Sequence, residues 1–201
     1  ASVRARFSLP SGVIYLDGNS LGALPIGVAE RIEAVARAQW GSGLIRSWND
    51  ADWYDLPMRT GDRIAPLIGA RAGEVVVGDS TSISLFRVVA AALGLRPDRH
   101  ALVTEEGNFP SDLYILDGMR RLRPDLEIRT APRGVDPGSL LEGAAALVLT
   151  HVDYKTGEIR DMTRLTAAAH EAGALAVWDL SHSTGVVEVD LHARSEEHTS
   201  E

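Results

Sequence analysis

The sequence contains no cysteine, which excludes a disulfide framework, thiolate zinc sites and a cysteine nucleophile. Lysine is nearly absent as well: Lys155 is the single lysine, and the rest of the 20 basic residues are arginine. The formal net charge is -8, with no cluster of Lys and Arg to offset it, so a surface that tracks nucleic-acid phosphates is not expected. No apolar run approaches the roughly 18 residues of a membrane span, and the opening A-S-V-R-A-R-F lacks the apolar core of a secretory signal. These absences lead to the expectation of a soluble, cytoplasmic protein with small-molecule partners, no nucleic acid and no membrane.

What is present is enough for one core: 201 residues, 45% of them hydrophobic, sit within the usual range of a single domain. The last stretch, R-S-E-E-H-T-S-E at 194–201, breaks the pattern and resembles one reading frame of a sequencing adapter, so it is expected to be a non-native tail. On that reading the natural protein continues past Ala193.

Val13 to Leu16 is a β-like run closed by the turn formers Asp17, Gly18 and Asn19, and reads as an extended arm and loop. Val28, Ile32, Val35 and Ala36 recur at helical spacing between Ile26 and Trp40, and a second helix is expected from Asp55 to Ile68. The chain then alternates. Strands are expected at Glu74–Val77, Ala101–Thr104, Glu127–Thr130, Ala145–Val152 and Ala174–Leu180, with helices at Ile83–Leu93, Asp112–Leu122, Leu140–Gly143 and Thr163–Ala172. Apolar, unalternating strands separated by helices imply an α/β fold, a mostly parallel sheet with helices on both faces. Ligands in such sheets sit beyond the carboxyl ends of the strands.

Four strand ends carry suggestive residues. G-D-S-T-S at 78–82 offers hydroxyls and backbone N–H groups at a helix start, either a phosphate seat or simple N-capping by Ser80 or Thr81. N-F-P-S-D at 108–112 holds an aromatic before a helix start, and T-H-V-D-Y-K at 150–155 clusters polar groups that also fit a surface loop. W-D-L-S-H at 178–182 ends a buried run in Asp179 and then His182. Read alone, that pair fits a cap and a structural histidine. Together, a phosphate seat, a stacking aromatic, a carboxylate for a ring nitrogen and a nearby imidazole match what pyridoxal phosphate requires. Metal binding is not expected, because Asp179 and His182 lack further clustered ligands.

Y-L-D-G-N-S-L-G at 15–22, W-G-S-G-L-I-R-S-W at 40–48, N-F-P-S-D at 108–112 and W-D-L-S-H-S-T-G at 178–185 together resemble the kynureninases, fold-type I pyridoxal-phosphate enzymes of the class V aminotransferase group. The resemblance implies part of a PLP-transferase (aspartate aminotransferase-like) large domain. It divides the chain into an N-terminal arm, helix and substrate-side loop at 1–50, an incomplete cofactor-binding domain at 51–193, and the tail at 194–201.

Carried over by motif, the resemblance places the cofactor phosphate at Thr81 and Ser82. It stacks Phe109 on the ring beside a wall of Pro110, Ser111 and Asp112, sets Thr150 near the cofactor, pairs Asp179 with the ring nitrogen, and puts His182 beside it. Asn19, Ser20 and Trp48 would line the substrate pocket, the first two across a homodimer interface. The family's Schiff-base lysine follows a strand beyond the Asp-x-x-His motif and has no counterpart here; Lys155 matches a different family position and reads as an exposed loop lysine. The implied activity of the whole protein is hydrolysis of L-kynurenine, or 3-hydroxykynurenine, to the anthranilate and L-alanine, within tryptophan catabolism and NAD biosynthesis. The 201 residues alone are expected to be inactive. A cysteine desulfurase-like lyase and a non-catalytic cofactor-binding module are the alternatives.

Overall fold

The computed structural model describes residues 2–192, so the expected tail at 194–201 lies outside the described residues. Four strands form one sheet, β1 (Ala101–Glu105), β2 (Glu127–Ala131), β3 (Ala144–Thr150) and β4 (Leu175–Asp179), in the spatial order β2-β1-β3-β4. Every pairing is parallel. The helices are α1 (Val28–Ala34), α2 (Ser47–Asp50), α3 (Leu56–Ile64), α4 (Thr81–Leu95), α5 (Pro110–Met119) and α6 (Met162–Glu171).

All residues of β1 and β3 are buried, as expected of strands covered on both faces. On one face Leu102, Ala146 and Val148 pack with Leu85, Val89 and Leu93 of α4 and Leu116 and Met119 of α5. On the other, Val103, Leu147 and Leu149 pack with Leu165 and Ala169 of α6. Each fully buried Leu or Val in these layers contributes about 1.5–3 kcal/mol of burial free energy.

Local chemistry sets the helix starts. The Ser80 hydroxyl accepts from Ile83 N–H at 3.4 Å to begin α4, and Asp161 accepts from Arg164 N–H at 3.0 Å to begin α6. Pro110 occupies the first turn of α5, where its missing N–H costs nothing.

The C-terminal end of α4 is tied to the bottom of the sheet. Arg99 donates to the carbonyls of Ala144 and Ala172, both at 2.7 Å, and Arg96 donates to Gly173 at 3.0 Å. Those carbonyls lie where β3 and β4 begin. The opposite end of α4, Ser80 to Ser82, therefore stands at the carboxyl rim of the sheet. Gly173 is required there, with φ +70° and a position where a Cβ would come within 2.4 Å of Arg99 Nη2.

Several expectations from sequence are corrected. Glu74–Val77 is extended but joins no strand. Val77 N–H bonds to Pro57 O at 3.2 Å, and Val75 O lies where a Cβ on Gly61 would be, 1.8 Å away. The run has strand composition, but its neighbour is α3 and not a ladder, so its backbone pairs with a helix. The first helix starts at Val28, not Ile26, and continues as a π-helix over Val35–Gly43. The short helix expected at Leu140–Gly143 is instead a 3₁₀ turn at Pro137–Leu140, where Asp136 accepts from Gly138 N–H at 3.0 Å.

Candidate functional site

The chain reverses its direction of travel across the sheet between β1 and β3: β2 is added on one side of β1, then β3 and β4 on the other. Such a reversal leaves a crevice at the carboxyl ends of the two central strands. Asn108 occupies it. This side chain is 3% exposed; it donates to Thr104 Oγ1 at 3.1 Å and to Val148 O at 3.2 Å, and its Oδ1 accepts from Thr150 N–H. The loop between β1 and α5 is thereby fastened to β3.

Three rings gather beside that loop. Phe109 meets Tyr154 edge-on with centroids 4.9 Å apart and His182 at 6.0 Å, while Tyr154 and His182 are 6.4 Å apart. Their mutual distances fall within the usual range of aromatic pairs.

Two carboxyls stand at the same rim. Asp179, the last residue of β4, accepts through Oδ1 from Ser181 N–H at 2.8 Å and from Ser181 Oγ at 2.6 Å. Asp112, in the first turn of α5, is buried and lies within hydrogen-bonding reach of Asp179; its own Oδ1 accepts from Ser111 Oγ at 3.4 Å. Burial, and after it the charge of Asp179, push the Asp112 carboxyl up to about 7. Asp112 Oδ2 and His182 Nδ1 are buried without a hydrogen-bond partner among the described residues. The two carboxyls thus form an acidic, under-satisfied acceptor set, suited to a cationic, flat, hydrogen-bond-donating group.

Thr150 lies directly beside Asp179 in the β3–β4 register, and His151 N–H bonds to Asp179 O at 3.0 Å. The N-terminal arm also arrives: Asn19 Nδ2 donates to Ser181 O at 3.1 Å. Phe109, Asp112, Thr150, Asp179, His182 and Asn19 are therefore brought to one rim, with Pro110 and Ser111 on the same helix start. Asn19, expected to work across an interface, meets its own chain's turn.

Thr81 and Ser82 open α4 at this rim, where their N–H groups are orphan donors of the helix start. No hydrogen bond joins them to the carboxyl pair among the described residues. Ser20 closes a turn on Asp17 O at 3.2 Å. Trp48 packs edge-on against Trp53 at 6.2 Å, and no ring contact joins it to the cluster among the described residues. Lys155 is exposed, with Nζ 5.3 Å from the Tyr154 ring centroid. Its loop is ordered by Asp153, which accepts from the N–H groups of Lys155 and Thr156 at 2.8 and 2.9 Å. Burial opposes the charge on Asp153, but these N–H bonds outweigh it and hold the carboxyl below its ordinary range.

Sequence reasoning missed three contributors. Asn108, inside N-F-P-S-D, looks like a loop residue in sequence, Tyr154 is a lone aromatic beside Lys155, and Ser181 carries no signal beyond its place two residues after Asp179. No group of three or more His, Asp or Glu side chains suited to a metal occurs among the described residues, and no helix there is long and apolar enough to cross a membrane.

The parallel sheet in this order has the aspartate aminotransferase-like fold. A solved C-DES variant with glycine covalently linked to its PLP cofactor superposes with a TM-score of 0.78 at 14% identity, covering 97% of this chain and 54% of that one. The cysteine desulfurase CsdA of Escherichia coli gives 0.69 at 17%, covering 95% and 51%. These likenesses concern the fold alone.

Sequence similarity is narrower. The chain is 53% identical over 199 residues to a kynureninase of Pseudomonas fluorescens and 50% identical over 198 residues to one of Burkholderia pseudomallei (strain 1106a). Each match covers 96% of this chain and 48% of the relative. The chain thus spans about half the length of the curated relatives it matches. No family model matches it.

Proposed function

We propose that these residues form the ring-binding side of a pyridoxal 5'-phosphate site in a kynureninase, an enzyme that cleaves L-kynurenine or its 3-hydroxy form to an anthranilate and L-alanine. The observation that carries the reading is Asp179: a carboxylate at a strand end, steadied by two Ser181 donors and within hydrogen-bonding reach of the buried Asp112, in a chain 50–53% identical to kynureninases.

When bound, the cofactor supplies a protonated pyridine ring that withdraws electrons from the substrate's α-carbon. The chain's residues orient and protect it. Asp179 would accept the ring N–H and so hold that proton in place. Phe109 and His182, whose rings lie together, would pack beside the cofactor ring. Thr81 and Ser82 receive the phosphate on the first-turn N–H groups of α4, where the helix dipole favours an anion. Pro110, Ser111, Asp112 and Thr150 wall the ring.

Asn19, Ser20 and Trp48 are assigned to the substrate side. Lys155 is not assigned the proton transfer, because Asp153 anchors its loop and its amine rests over Tyr154. The activity is accordingly proposed for the longer protein that the relatives represent, as a cytoplasmic homodimer. Exposed Ile14, Leu16, Leu21 and Ile45 on the N-terminal segments support a partner surface.

Saturable PLP binding by the chain, followed through cofactor fluorescence and weakened by Asp179→Ala, is the direct test; equal affinity of the two proteins sinks the reading. Supplying the longer protein with L-kynurenine and with cysteine separates the alternatives, since only the kynurenine reaction releases anthranilate. The sequence identity favours kynurenine, because the desulfurase likeness is one of fold.

A further inference from the structure

The turn that follows β4 is held from a distance. Its interior is closed by Ser183 and Thr184, whose N–H groups both bond Leu180 O at 3.0 Å, and Ser183 is buried. Ser181 is exposed, yet it makes three directed contacts: its N–H and hydroxyl go to Asp179 Oδ1, at 2.8 and 2.6 Å, and its carbonyl receives Asn19 Nδ2 at 3.1 Å. Both Ser181 donors reach Asp179 Oδ1, which is thereby committed to the turn, while Asp112 stands within hydrogen-bonding reach of the same carboxylate.

Asn19 arrives on a braced loop. The N–H groups of Ser20 and Leu21 both bond Asp17 O at 3.2 Å, and the Tyr15 hydroxyl donates to Leu21 O at 2.6 Å. The sequence separation of Asn19 and Ser181 is 162 residues, so nothing local dictates their meeting. A side-chain amide that spends a donor on this carbonyl fixes the peptide whose next neighbours aim Asp179.

We propose that Asn19 is a positioning residue for Asp179, acting through Ser181. This rests on the reading of Asp179 as the partner of the PLP ring nitrogen. It gives the N-terminal arm a task in cofactor capture, separate from any contact with substrate. The same residue supplies both donors that hold Asp179 Oδ1, so freeing its carbonyl from Asn19 loosens the turn that carries them, and a misaimed carboxylate makes a longer, bent bond to the ring N–H.

The experiment uses the chain, PLP as the probe, and Asn19→Asp, Asn19→Ala, Asp179→Asn and the Asn19→Ala/Asp179→Asn pair. Asn19→Asp keeps the shape and removes the donor. Loss of one exposed hydrogen bond predicts PLP affinity lowered about 3- to 10-fold in both Asn19 variants, with faster hydrogen exchange at the Ser181 amide and an almost unchanged melting temperature. In the Asp179→Asn background, Asn19→Ala is expected to cost nothing further. The proposal is overturned if Asn19→Asp binds PLP as the parent does, or if Asn19→Ala weakens binding equally in both backgrounds, the signature of direct contact. Should the unsubstituted chain not bind PLP at all, the functional reading fails by itself; Ser181 exchange then still decides, an acceleration in Asn19→Asp supporting the link and an unchanged rate refuting it.

Discussion

Asp112, at the start of α5, and Asp179, at the end of β4, face each other across the carboxyl rim within hydrogen-bonding reach, and no basic side chain bonds either of them among the described residues. Two carboxylates can share a hydrogen bond only through a proton. The pair is therefore a place where the fold holds negative charge against its own preference, which is what a site for a cationic ring needs before the ring arrives.

The pH dependence follows with a definite sign. The Asp112 carboxyl is pushed from 3.8 to about 7, by burial first and by Asp179 second. A folded value above the unfolded one means that the folded state retains a proton while the unfolded state loses it. Stability is full below about pH 4, falls as pH rises through the interval to about 7, and stays reduced above it. Asp112→Asn removes the titration, so it is expected to gain on the parent by a few kcal/mol at pH 8 and by little at pH 4. Urea unfolding at both pH values checks this; parallel curves for the two proteins would contradict it.

Asn108→Ala is expected to cost about 2–4 kcal/mol, because it strands Thr104 Oγ1, Val148 O and Thr150 N–H in a buried crevice. Chemical denaturation measures the loss. A cost under about 1 kcal/mol would mean that water replaces the amide.

Gly173→Ala combines a left-handed backbone with a close approach to Arg99. About 1 kcal/mol arises from φ alone, and displacement of Arg99 adds the loss of its two carbonyl bonds. Thermal unfolding of Gly173→Ala, Arg99→Met and the double variant tests the coupling. Strict additivity would show that the arginine does not yield to the methyl group.

Phe109→Leu keeps an apolar side chain but removes the ring that meets Tyr154 and His182. A PLP affinity lower by about 3- to 10-fold is expected, equivalent to about 0.5–1.5 kcal/mol of aromatic contact. Fluorescence titration reads it, and an unaltered affinity would remove Phe109 from the ring's neighbours.

Much of the sheet was legible because its strands are self-evident in composition. A-A-A-L-V-L-T and A-L-V-T-E are apolar runs of strand length between turn formers, and both proved fully buried. E-V-V-V at 74–77 carries the same signal but is not a strand; strand pairing is a property of a neighbour, and Gly61 on α3 supplies the neighbour here. The π-helix over Val35–Gly43 was invisible for a related reason: it keeps the apolar spacing of an α-helix while adding a residue to the turn.

The rim residues were found as motifs, whereas their couplings were not. Asp179 and Asp112 stand 67 positions apart, a separation obtained from their numbers, and only the β1-β3-β4 order places them together. The role of Asn108 is not legible in its motif, since an asparagine between two strands looks like a loop residue until the second strand is in place.

That asparagine also has a consequence for how the sheet finds its alignment. A slip of β3 by one residue would exchange Ala146 and Val148 with Leu147 and Leu149 and turn the strand inside out, which the apolar layers reject. A slip of two residues escapes that check, because side chains of similar size return to the same faces. Asn108 tolerates it as well: its bonds to β3 go to the main-chain groups Val148 O and Thr150 N–H, and equivalent main-chain groups recur every two residues along a strand. The amide thus fastens β3 to the loop after β1 whichever side chains the strand carries, and leaves register to side-chain packing.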